Sequence, residues 1–122
     1  MKFTTDKVPG NFIRFYQPGE IHLRNQILTS HAIIGADSLI TDWQPAEIDV
    51  LSIADFQAAL DQKPEILLFG TGTTQQFPDI RLLTEIMQAG TAIEVMQTEA
   101  ACRTFNVLIG ENRSVIAALL IN

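Results

Sequence analysis

The sequence predicts an α/β fold in which a β-rich N-terminal section leads into a βαβαβ unit. Two observations carry this prediction. Before Ser52 the chain is a series of short β-like runs separated by turns, whereas after it helix-period and strand-period stretches alternate. The run Ile66-Leu-Leu-Phe69 is also wholly apolar, which suits a strand covered on both faces of a parallel sheet.

The β-like runs are residues 11–16, 20–23, 27–29, 32–35 and 39–41. Gln17-Pro18-Gly19 joins the first two, with proline fixing φ and glycine allowing φ > 0, so they read as a hairpin. Ser52 and Asp55 form a capping-box variant opening a helix to about Leu60, and Pro64 blocks its continuation. Pro78 precedes a second helix over 79–89, with Ile80, Leu83, Ile86 and Met87 on one face and Gly90 as its C′ residue. Residues 92–96 form the next strand, expected to be buried in the same sheet as 66–69 and 115–121. Thr98 is placed to cap a helix over 99–109, with Glu99 in its first turn and Gly110 as C′. Ala101, Phe105, Leu108 and Ile109 make its core stripe, Arg103 and Asn106 share another face, and residues 115–121 close the sheet.

The 122 residues fit one domain covering 1–122, long enough to bury a core without staples. A net charge of −6, with only eight scattered Lys and Arg, argues against a nucleic-acid partner and against an anionic membrane surface. The lone Cys102 excludes an internal disulfide and suits a reducing compartment. The start, Met1 to Gly10, lacks the apolar run of a signal peptide, and Asp6 with no early arginine speaks against a transit peptide. The longest apolar run, 115–121, falls short of the about 20 residues of a membrane span. The expectation is a cytoplasmic protein that does not insert into membranes.

Three segments in fixed order carry a resemblance. They are Trp43 with Asp49-Val-Leu-Ser-Ile-Ala-Asp-Phe56; Pro64-Glu-Ile-Leu-Leu-Phe-Gly-Thr-Gly72; and Glu94 to Asn106 with Glu111 and Arg113 behind it. From about Gly10 to the C-terminus the chain resembles the small-domain family of largely unassigned activity whose vertebrate members include a mitochondrial complex I assembly factor and an adipogenesis-associated protein. The resemblance implies a three-layer α/β domain with a mixed central sheet, one strand antiparallel, and the N-terminal hairpins packed as an extra β layer. Periodicity alone leaves an all-parallel C-terminal sheet open. For function the resemblance implies assembly or interaction, with no settled reaction and no catalytic residues to transfer.

Candidate site residues follow from the edge where open α/β sheets place ligands. Gly70, Thr71, Gly72, Thr73 and Thr74 leave a strand there, with glycines for close approach, hydroxyls to donate and a helix start nearby. With Arg103, Asn106 and Glu94 they could form an anion-accepting pocket. The lysine of a phosphate loop is missing, and Gln75 stands where a dinucleotide fingerprint needs its third glycine. The plainer reading, preferred here, is a tight strand-to-helix turn whose threonines satisfy backbone groups. Glu94, if buried, is a base with raised pKa or, by preference, half of an ion pair with Arg103 or Arg113. Cys102 near a helix start reads as a packing residue rather than a nucleophile. His22, His31 and Cys102 lack metal-ligand spacing. Trp43 reads as a cap between the β layer and the α/β unit. The expectation is a binding or assembly-type protein with a protein partner, no cofactor and no metal; a ligand-binding protein or enzyme using the pocket is the alternative.

Overall fold

The computed structural model describes residues 10–122, so the reading of the first nine residues lies outside it. Eight strands and three α-helices follow in order: β1 Phe15–Gln17, β2 Glu20–His22, β3 Ile27–Leu28, β4 Ala32–Gly35, β5 Leu39–Ile40, α1 Gln57–Leu60, β6 Ile66–Thr71, α2 Ile80–Gln88, β7 Ala92–Met96, α3 Thr98–Gly110 and β8 Val115–Leu120. Short 3-10 turns at Ile48–Val50 and Ile53–Phe56 lead into α1.

The central sheet has the order β5-β4-β8-β6-β7. Strand β6 pairs parallel with β7 and with β8, while β4 pairs antiparallel with both β5 and β8. One strand, β4, thus opposes the others, and the sheet is mixed as the resemblance implies. Strands β1, β2 and β3 form a separate antiparallel sheet in sequential order. Its first turn puts Gly19 at φ +91 and donates the Gly19 N–H to the Ile121 carbonyl at 2.7 Å, tying the hairpin to the chain leaving β8.

Alternation along β8 divides the core. Val115, Ala117 and Leu119 face α3 residues Ala101, Phe105 and Ile109 together with Ile13, Ile21, Leu23 and Leu28 of the small sheet and its flanks. Ile116 and Ala118 face Trp43, Phe56, Leu82 and Ile86 on the other side. The molecule is therefore layered: α3 and the small sheet, then the central sheet, then α1, α2 and the Trp43 segment. Trp43 is 8% exposed, donates its indole N–H to the Asp55 carbonyl at 2.9 Å and packs at 5.7 Å from Phe56. It caps the second core half, on the face of the central sheet away from the small β sheet, and so does not sit between the β layer and the α/β unit as the sequence suggests.

Four further expectations need correction. Strand β7 is exposed or half-buried along its length rather than buried, because it forms the sheet's edge and pairs only with β6. The buried face of α2 is Leu82 and Ile86, while Ile80 is 73% and Met87 51% exposed, because packing against the sheet selects this stripe over the other that helical spacing allows. Thr98 is the first residue of α3 and Gln97 occupies the cap, since the threonine hydroxyl is used elsewhere. Gly110 is the last helical residue, and the left-handed conformation falls instead on Asn112 at φ 60.

Candidate functional site

Parallel pairing of β6 with β7 brings the segment after β6 and the start of α3 to one end of the sheet. The last turn of β8 ends beside them, because β8 runs parallel to β6. Thr98, fully buried, holds the three together. Its N–H donates to the Gly72 carbonyl at 2.9 Å, and its hydroxyl accepts the Gly72 N–H at 2.8 Å and donates to the Leu120 carbonyl at 2.6 Å. The glycines serve this junction. A Cβ on Gly70 would lie 2.8 Å from Leu119 Cδ2 and 2.9 Å from Thr98 Oγ1. Gly72 has φ +90, and a Cβ there would meet the Asn122 carbonyl at 2.9 Å.

The threonines are similarly occupied. The buried Thr71 hydroxyl donates to the Thr74 carbonyl at 2.6 Å and accepts the Gln76 N–H at 3.1 Å. Thr74 Oγ1 accepts from the Gln76 side chain at 3.3 Å, and Gln75 donates to the Val95 carbonyl at 3.0 Å. Thr73 is exposed. Gly70 and Thr71 belong to β6, so the turn proper begins at Gly72.

The other candidate residues lie apart from this junction. Glu94 is exposed on edge strand β7, opposite Leu68, and is not ion-paired among the described residues. Arg103 faces Glu99, one turn back on α3, at 3.7 Å with both side chains about two-thirds exposed, a contact worth roughly 0.3–0.5 kcal/mol. Arg113 instead meets Glu65 at 3.1 Å. Asn106 is consumed by a two-way bond to the chain entering the small sheet: its amide donates to the Ile13 carbonyl at 2.7 Å and accepts the Ile13 N–H at 2.9 Å. That amide acts as a substitute strand partner for Ile13 and joins α3 to the β layer.

Arg103 and Asn106 line a cleft of about 210 Å³ with Tyr16 and Cys102, between β1 and α3. Cys102 is 5% exposed, and burial pushes its thiol up to about 12, with Arg103 opposing and Glu99 reinforcing the shift. A thiol held neutral in this way is a packing residue. Burial, with Cys102 and Glu99 nearby, also raises the Tyr16 phenol, whose hydroxyl has no hydrogen-bond partner among the described residues. His31 is half-buried, accepts the Ile121 N–H on Nδ1 at 3.0 Å and has its pKa lowered by burial. His22 sits 2.9 Å from Glu20 on the outer face of the small sheet. The sequence reading missed the Thr98 junction and the Asn106 bond. A threonine at the start of α3 was the visible signal for the first; nothing local signals a partner ninety-three positions away for the second.

Residues 13–120 match the family model described as a protein of unknown function, DUF498/DUF598. The chain belongs to this family. A relative from Francisella tularensis subsp. holarctica named 13 kDa major membrane protein is 31% identical over 93 residues, which covers 75% of this chain and 76% of that protein. NADH dehydrogenase (ubiquinone) 1 alpha subcomplex assembly factor 3 from Xenopus tropicalis is 39% identical over 74 residues, covering 61% of this chain and 40% of the assembly factor. This chain thus spans well under two thirds of that relative's length. A Xanthomonas campestris protein solved by NMR shares the fold with a TM-score of 0.81 at 30% identity, covering 98% of this chain and 92% of that one. Among the described residues, no helix is long and apolar enough to cross a membrane.

Proposed function

We propose that this member of the family is a binding protein of the assembly type, acting through contact with a protein partner and without a reaction of its own. The observation that carries this reading is the commitment of the sheet-end junction. The groups that could have received a small ligand there, the Gly72 N–H and the Thr71 and Thr98 hydroxyls, are spent on the Thr98, Gln76, Thr74 and Leu120 groups around them. Arg103, the cation such a ligand would need, faces Glu99. A site of this kind stabilises the fold rather than a transition state. Surface apolar side chains support the same reading: Phe15, Phe77, Ile80 and Val107 are each more than half exposed. The relatives named as assembly factors add further support. A lone, buried Cys102 suits action in the reducing cytoplasm.

Affinity capture from the native cell at endogenous abundance tests the proposal. A partner retained in near-equal amount is expected, both by the wild-type protein and by a variant with Thr73 and Thr74 replaced by alanine. Capture of the chain alone, or loss of the partner with those threonines, contradicts it.

A further inference from the structure

Acids outnumber bases in this chain by 14 to 8, yet two of its arginines meet on one surface. Arg14 and Arg24 both line a shallow cleft of about 730 Å³ on the small sheet, and both line a neighbouring cleft of about 300 Å³ beside Phe12. No acidic residue lines either cleft. Arg81, Arg103 and Arg113 each pair with a carboxylate, whereas Arg14 and Arg24 form no ion pair among the described residues, although Arg14 also lines the smaller cleft that holds Glu99. Apolar side chains surround the pair. Phe15, His22 and Ile27 stand in one row across the sheet's outer face, Phe15 and Ile27 being 52% and 53% exposed, and Phe12 is 39% exposed.

We propose that this face docks an acidic, apolar segment of another protein, with carboxylates on Arg14 and Arg24 and an apolar side chain against Phe12, Phe15 and Ile27. Guanidinium forks match carboxylates in geometry and charge, and exposed aromatics provide the anchors that carry binding energy. Other occupants fit the charge less well. A second copy related by a two-fold axis would bring the same arginines toward themselves. The chain's own first nine residues carry Lys2 and Lys7 against Asp6, the wrong sign for the cleft. An anionic membrane gains only about 1 kcal/mol from each arginine, against the repulsion of a protein with net charge −6. The inference rests on the interaction reading above and gives it a location.

The test uses a short blocked peptide alternating glutamate with phenylalanine, its lysine-for-glutamate counterpart, and vesicles containing phosphatidylglycerol, each titrated into the isotope-labelled full chain. The expected result is saturable amide shifts at Phe15, Arg24 and Ile27 with the acidic peptide, at an affinity of about 1 mM or tighter. The Arg14→Glu, Arg24→Glu double variant, with an unchanged thermal midpoint, should weaken it by at least about tenfold. Equal shifts from the lysine peptide, or vesicle binding without peptide binding, would overturn the proposal, and both comparisons need only the wild-type chain. If native capture keeps its partner with the double variant, this face is not the docking site and the interaction function stands.

Discussion

Thr98 shows how a single side chain can tie three segments together at one end of a sheet. It lies where α3 begins, and its hydroxyl joins the turn after β6 to the end of β8 at 2.8 and 2.6 Å. Valine has nearly the same shape but leaves the Gly72 N–H and the Leu120 carbonyl without that partner. Thr98→Val is therefore expected to destabilise by about 1–3 kcal/mol, the penalty of an unsatisfied buried polar group. Thr98→Ser keeps the hydroxyl and should lose clearly less. Chemical denaturation of the two variants checks this, and equal loss in both would mean that the methyl group matters rather than the hydrogen bonds. The sequence showed the threonine but assigned it to its own helix, because capping is local and the junction spans positions 72, 98 and 120. Local patterns carry no information on which carbonyl a hydroxyl will reach across a sheet.

At the scale of elements, what the sequence revealed depended on burial. Strand β8 is apolar at every position because it lies between β4 and β6 with both faces covered, and its type and place were legible. Strand β7 has a similar composition, but lateral order in a sheet is not written in periodicity, so its edge position was not legible. Glu94 takes its meaning from that position. It interrupts Ile93, Val95 and Met96 on a strand whose outer edge is unpaired among the described residues. A charge on such an edge opposes strand-to-strand association. Glu94→Val should leave the fold intact and produce association that grows with protein concentration, read by light scattering against the wild type. Scattering that stays at the wild-type level would remove this role from Glu94. The hydrophobic face of α2 was misread for a related reason. Ile80, Leu83, Ile86 and Met87 have helical spacing, but so do Leu82 and Ile86, and only the packed sheet selects between the two stripes.

Across the whole molecule, the layers are joined by contacts distant in sequence: the Asn106 amide on Ile13 and the Gly19 N–H on the Ile121 carbonyl. These contacts hold the small sheet against α3 and so position its outer face, where Arg14 and Arg24 converge. Composition alone scattered those arginines. The hairpin register brings them together, since Phe15 pairs with His22 and one further step sets Arg14 beside Leu23, next to Arg24. The central claim is that this protein works by holding another protein on its surface. Photo-crosslinking in the native cell tests it most directly, with a photoreactive residue placed in turn at Phe15, Ile80 and Val107, which are 52%, 73% and 58% exposed. The account predicts a discrete adduct with one other protein from at least one position, strongest from Phe15. No protein adduct from any of the three, with the chain intact at native abundance, would contradict it.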